Sequence, residues 1–172
     1  MNIQPLFKVQ KEYNDNLPIN EDLDSHKLQV RKNLEFEITL GNLANETLCF
    51  NYLKTSIKPV NLTAIFNKYI TCLSQALTLG IDNKYMDLIA VSMNPNDYCL
   101  SDQFLNLYID INDLIVSPSM DHYLTLFEDL LSLGLTLGFS EAQIHNEFIK
   151  NRDNLVIVWL KNLIYTYDGY QV

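Results

Sequence analysis

Apolar residues recur three and four positions apart along most of the chain, the spacing of one face of an α-helix. Leu6, Val9, Gln10 and Tyr13 share such a face, and Pro5 suits the first turn of the helix that carries them. Residues 14–22 are turn-forming and break the pattern. A second helix is predicted from Leu23 to Tyr52, with Leu34, Ile38, Leu40, Leu43, Ala44, Leu48 and Phe50 supplying core. Pro59 ends the connection that follows. Asn61 then suits the N-cap of a third helix, reaching Gly80 as its left-handed C-terminal cap. That helix sets Leu62, Ile65, Phe66, Tyr69, Ile70, Leu73, Leu77 and Leu79 at helical spacing.

Residues 82–100 are mixed, with Met86, Leu88, Ile89 and Val91 in a short apolar piece broken by Met93-Asn94-Pro95-Asn96-Asp97. Ser101 is a good N-cap for a fourth helix, Asp102 to Ile115, bearing Phe104, Leu105, Leu107, Tyr108, Ile111 and Leu114. A fifth runs from Met120 to Leu137. Ser140 and Gln143 form a capping box for a sixth, which reaches at least Asn151. The last twenty residues, with Val156-Ile157-Val158-Trp159, fit helix or strand equally. No repeat, low-complexity segment or linker stands out. The pattern predicts a single all-α domain, residues 1–172, a bundle of about six helices.

Composition supports this reading. Five glycines and five prolines in 172 residues are few turn-formers, which favours long helices over a β-sandwich. With 12 Lys and Arg against 21 Asp and Glu, the charge of −9 argues against nucleic-acid binding and against adhesion to anionic membranes. It leaves room for a magnesium–phosphate site, because carboxylates hold that cation. No apolar run approaches the roughly 18 residues of a membrane span. The first residues lack a signal-peptide layout, so a cytoplasmic location is expected. Cys49, Cys72 and Cys99 are widely spaced and read as reduced, mostly buried thiols. His26, His122 and His145 form no metal-binding pair pattern.

The stretch Ile38-Thr39-Leu40-Gly41-Asn42-Leu43-Ala44-Asn45-Glu46-Thr47 resembles the central motif of the dimeric, all-α dUTP pyrophosphatases, members of the all-α NTP pyrophosphatase (MazG-like) superfamily. Leu6 to Leu17 resembles that family's first helix and Ser101 to Tyr108 its fourth. Leu133 to Ser140 followed by Ile149-Lys150-Asn151 resembles its closing pair. The likeness spans about residues 3–154 in order and register. It implies a magnesium-dependent hydrolase that splits dUTP into dUMP and pyrophosphate. Two carboxylate pairs, Glu-x-x-Glu and Glu-x-x-Asp on facing helices, hold the metal in that family. The i, i+3 spacing puts each pair on one helix face.

This chain departs from that pattern. Thr39 and Asn42 stand at the first pair, Lys68 and Thr71 at the second. Residues 47–81 contain no Asp or Glu, although the chain-wide rate would place about four there, and they carry Lys54, Lys58 and Lys68. Thr and Asn offer only neutral oxygens to a hard cation. An ammonium about 4 Å from a divalent ion repels it by roughly 8 kcal/mol at an effective dielectric of about 20. No catalytic residue and no metal cofactor is therefore expected. The family's phosphate arm keeps Lys150, Asn151 and Asn154 but continues with Leu155, Ile157 and Val158 where His, Arg and Gln belong. Gln10 and Asn45 match positions lining the family's nucleotide pocket, and also suit a polar helix–helix contact.

Glu35, Thr39, Asn42 and Glu46 share a helical stripe, so a displaced metal site using the two glutamates is conceivable. A solvated polar stripe is the simpler account. Asp110, Asp113, Glu128 and Asp129 likewise read as surface charge. The combined loss of metal ligands and phosphate arm favours a pseudoenzyme, kept as a dimeric scaffold or protein-interaction module. Two alternatives stay open. One is a nucleotide binder for dUTP or dUMP in which Lys68 replaces the metal charge. The other is a pyrophosphohydrolase with relocated ligands. The family's habit makes a homodimer the expected assembly, with another protein partner or an active paralogue as further options.

Overall fold

The computed structural model describes residues 1–53 and 59–152. Six helices lie within them: α1 Gln4–Asp15, α2 Ser25–Thr47, α3 Leu62–Asp82, α4 Leu100–Val116, α5 Met120–Thr136 and α6 over 141–152. The described residues form no strand, and one isolated antiparallel bridge joins Asn2 to Ala90. None of their helices is long and apolar enough to cross a membrane. The last twenty residues, left open between helix and strand, lie outside the described residues.

Local chemistry sets the helix ends. Asp24 accepts from Lys27 N at 2.8 Å, so α2 starts at Ser25 and not at Leu23. It stops at Thr47, because Leu48 turns into the left-handed region at φ 55°. Asn61 caps α3 as predicted, accepting from Ala64 N at 3.1 Å. The N-cap of α4 is Cys99 and not Ser101, whose hydroxyl instead donates to Cys49 O at 2.8 Å. The predicted capping box is present: Ser140 N donates to Gln143 Oε1 at 2.8 Å, and Gln143 N to Ser140 Oγ at 3.3 Å.

The centre of the bundle is α3, packed on α1, α2 and α5, while α4 joins α5 to α2. The core face of α2 is Phe36, Thr39, Leu40 and Leu43. Leu34, Ile38 and Phe50, expected in the core, are exposed, Ile38 by 55%. Leu34 and Ile38 lie with Val30 on a second stripe at i, i+4 spacing. Leu105 and Ile109 form a matching exposed stripe on α4, Leu105 by 62%. Tyr108 joins the two helices, its hydroxyl donating to Glu37 O at 3.2 Å. The cysteines also differ from expectation: Cys72 is buried and Cys49 half-buried, but Cys99 is exposed.

Two helical hairpins, α2–α3 and α4–α5, repeat one design. Tyr69, Gly80 and Tyr85 in and after α3 are spaced like Tyr123, Gly134 and Phe139 in and after α5. Each tyrosine lies over the glycine of the opposite helix, where a Cβ would collide with the phenol. Each helix then ends alike. Lys84 N donates to Ile81 O and Tyr85 N to Gly80 O, at 3.1 and 2.8 Å. Gly138 N donates to Leu135 O and Phe139 N to Gly134 O, both at 2.9 Å. These are Schellman closures around a left-handed residue, Lys84 at φ 64° and Gly138 at φ 88°. Gly80 is thus a packing position inside α3 and not its cap. The repeat escapes the sequence pattern because only these few positions are shared.

Candidate functional site

Lys32 on α2 and Asp82 on α3 pair at 2.7 Å and set the register of the first hairpin. Equal steps along the antiparallel helices bring Thr39 level with Gln75 and Asn42 level with Cys72. Thr39 Oγ1 donates to Glu35 O at 2.9 Å, and Thr71 Oγ1 to Asn67 O at 3.0 Å. Both hydroxyls are folded back on their own helices. Asn42 is exposed and Lys68 half-buried. Two neutral hydroxyls, an amide and an ammonium do not fit magnesium, which binds through carboxylates. Among the described residues no group of three Asp, Glu, His or Cys is gathered around Glu35 or Glu46.

Beside these positions lies a cavity of about 590 Å³, walled by α1, α2, α3 and Arg152 of α6. Its floor is an uncharged hydrogen-bond cluster. Gln10, 1% exposed, donates through Nε2 to Asn14 Oδ1 at 2.8 Å and to Thr78 Oγ1 at 3.1 Å. Ser74 Oγ donates to Gln10 Oε1 at 3.1 Å, and Asn14 Nδ2 to Thr78 Oγ1 at 3.2 Å. Such bonds contribute about 0.5–1.5 kcal/mol each and leave few adaptable donors. Glu35 and Thr71 line the same space.

The other candidate residues are dispersed. Asn45 is exposed on α2, and Lys68 is not part of the cavity wall. Lys150 is exposed and lies 3.8 Å from Glu147, and Asn151 is half-buried. Asn154, Leu155, Ile157 and Val158 lie outside the described residues. Arg152, which no motif position marks, is the α6 residue in the cavity wall. The nearest sequence signal for it was its place between Lys150-Asn151 and Asn154.

The repeat also explains an acidic pair in the second hairpin. Gln103 on α4 accepts from Thr136 at 3.0 Å, the counterpart of the Lys32–Asp82 contact. Counting on from Gln103 as from Lys32 makes Asp110 and Asp113 the counterparts of Thr39 and Asn42. Asp110 meets Asp129 of α5, so these residues are not the plain surface charge that the sequence suggests. Burial, then the Asp129 carboxylate and the charge of Asp113, push Asp110 up to about 7, with His122 opposing. Burial raises Asp129 as well, against the hydrogen bond it accepts from Asp110 and with Glu128 adding to the rise. Asp110 Oδ2 is buried with no partner among the described residues, and a proton shared with Asp129 would satisfy it.

A sign follows for stability. An unfolded aspartate loses its proton near pH 4 and folded Asp110 near 7, so the folded chain holds the extra proton between them. This contribution is full below about pH 4 and is lost as pH rises to about 7. Urea midpoints measured across that range should decline less in Asp110→Asn than in the parent chain. Parallel profiles would show that the carboxyls do not share a proton.

No curated protein and no solved structure matches the chain. A family model described as dUTPase matches residues 2–156, nearly the whole length. With the helical architecture above, that match means that the chain belongs to the all-α dUTPase family.

Proposed function

We propose that this protein is a catalytically degenerate dUTPase relative that acts as a dimeric scaffold or protein-interaction module. The observation that carries the reading is the donor set at the family's metal positions, Thr39, Asn42, Lys68 and Thr71. A dUTP hydrolase of this kind uses metal to orient substrate and to offset phosphate charge. Three of these side chains are neutral, and the fourth, Lys68, would repel the metal. The assembly is proposed to use the α2–α4 face, where Val30, Leu34, Ile38, Leu105 and Ile109 expose apolar surface to water. A second copy presents the same stripes about a two-fold axis.

The test is a dUTP hydrolysis assay with and without magnesium, run beside light scattering. Turnover is expected at the uncatalysed rate, and the mass at twice 19.9 kDa. Ile38→Lys combined with Leu105→Lys should give the monomer. Magnesium-dependent turnover would overturn the reading and favour relocated ligands. A second reading, nucleotide binding without hydrolysis, draws support from the cavity beside Gln10. Saturable dUTP or dUMP binding without turnover would promote it, with the Lys68→Ala affinity deciding whether Lys68 takes part.

A further inference from the structure

We propose that the α2–α4 face pairs with a second copy of this chain in one orientation only, with α2 of each copy lying antiparallel over α4 of the other and Arg31 meeting Asp113 across the interface. This rests on the dimer reading above and deepens it, by fixing which helices meet and through which charges.

Within one copy α2 and α4 run side by side and antiparallel. Ser101, at the start of α4, donates to Cys49 O just past the end of α2, at 2.8 Å, and Tyr108 donates to Glu37 O further along, at 3.2 Å. Equal steps from the Tyr108–Glu37 contact bring Val30, Arg31 and Ile38 to within one turn of the levels of Val116, Asp113 and Ile109. All six side chains are exposed. At about 100° per residue, Arg31 falls on the side of α2 that Lys32 and Glu35 occupy in the cavity wall, away from α4. Asp113 falls on the side of α4 that Asp110 occupies against α5, away from α2. The apolar face therefore has a basic edge along α2 and an acidic edge along α4.

Charge selects between the two ways of laying this face on itself. A two-fold axis along the helices sets α2 over α4, seats Ile38 near Ile109 and Val30 near Val116 of the second copy, and brings the basic edge to the acidic one. An axis across the helices sets α2 over α2, so that Arg31 approaches Arg31 and Asp113 approaches Asp113, and like charges meet at both edges. The acidic edge has no cation of its own to offset it. Residues 85–149 carry ten Asp or Glu and no Lys or Arg, whereas residues 1–84 carry nine of each sign. Neither Arg31 nor Asp113 forms a salt bridge among the described residues. The cation that Asp113 lacks is thus supplied by the first half of another copy.

The test is sedimentation equilibrium of the full chain and its charge variants. Each dimer holds the Arg31–Asp113 contact twice, so Arg31→Glu and Asp113→Arg should each weaken dimerisation about tenfold or more. The chain carrying both changes should return to within about threefold of the parent. An equimolar mixture of the two single variants should pair as a heterodimer, because each contact in it joins opposite charges. Arg31→Gln, which removes attraction without adding repulsion, should weaken the dimer less than Arg31→Glu. A folding defect would not be rescued by a second charge reversal, so the doubly changed chain separates it from a lost contact. A parent dimer indifferent to both single reversals, or a double variant no tighter than the singles, overturns this orientation and leaves the dimer reading standing. A dimer that survives Ile38→Lys with Leu105→Lys places the interface elsewhere and overturns it as well. A parent chain that stays monomeric at its highest soluble concentration overturns both, whatever other partner takes the face.

Discussion

Tyr123→Ala is expected to lower the free energy of unfolding by about 3–5 kcal/mol, whereas Tyr69→Phe leaves it unchanged or raises it slightly. Both tyrosines are fully buried and both lie over a glycine of the opposite helix. Tyr123 also stacks on Tyr85 and Phe127, at centroid distances of 5.3 and 5.7 Å. Its hydroxyl donates to Ala76 O at 3.2 Å. Alanine would forfeit all of these and leave a cavity at the centre of the α3–α5 contact. The Tyr69 hydroxyl is buried with no partner among the described residues, so its removal relieves a desolvated group. Gly134→Ala should cost about 1–3 kcal/mol through overpacking, although alanine is otherwise the better helix former. Urea denaturation measures all three. Equal losses for Tyr123→Phe and Tyr69→Phe would refute the difference drawn between the two phenols.

A chain carrying Thr39→Glu, Asn42→Glu, Lys68→Glu and Thr71→Asp is expected to gain a magnesium-dependent stabilisation that the parent lacks. The four changes remove the ammonium and place carboxylates at all four family positions. Without metal, like charges on facing helices should make this variant less stable than the parent. With magnesium at a hundredfold excess over its dissociation constant, binding would restore about 2.7 kcal/mol. The thermal midpoint should then climb by several degrees, and calcium should serve less well in so confined a site. A midpoint indifferent to magnesium would mean that α2 and α3 do not present these positions to a common point. In that event the loss of the carboxylates alone would not account for the absence of a metal site.

Features set by near neighbours in the chain were legible from sequence. Pro5, Asn61 and the Ser140–Gln143 box each act within one helical turn, and each stands where the pattern put it. The core face of α2 was misjudged because a long helix with two apolar stripes looks periodic from either one. The partners choose between them: Leu40 and Leu43 are fully buried, while Leu34 and Ile38 face outward. The repeat was missed because Tyr, Gly and aromatic positions recur while the residues between them change. At the site, Gln10 was picked out by family likeness and lines the cavity. Arg152 was not, since only folding brings Tyr13 beside it. The acidic pair was hidden likewise, because burial between α4 and α5 cannot be read from Asp110 or Asp129 alone.

The bridge at Asn2 and Ala90 has a kinetic side. Ile3 N donates to Ile89 O at 3.0 Å and Val91 N to Met1 O at 3.0 Å. Gln4 Nε2 adds bonds to Met86 O and Leu88 O at 2.6 and 2.9 Å. The hairpin contacts Lys32–Asp82 and Gln103–Thr136 span 50 and 33 residues, but this clasp must gather segments more than eighty residues apart. Loop entropy places such closures late in folding and early in local opening. Helix α1, which brings Gln10, Tyr13 and Asn14 to the cavity, hangs on that clasp. The binding wall would then form after the bundle is built and loosen before it melts, so hydrogen exchange at Ile3 and Val91 would report the site's lifetime and not the fold's.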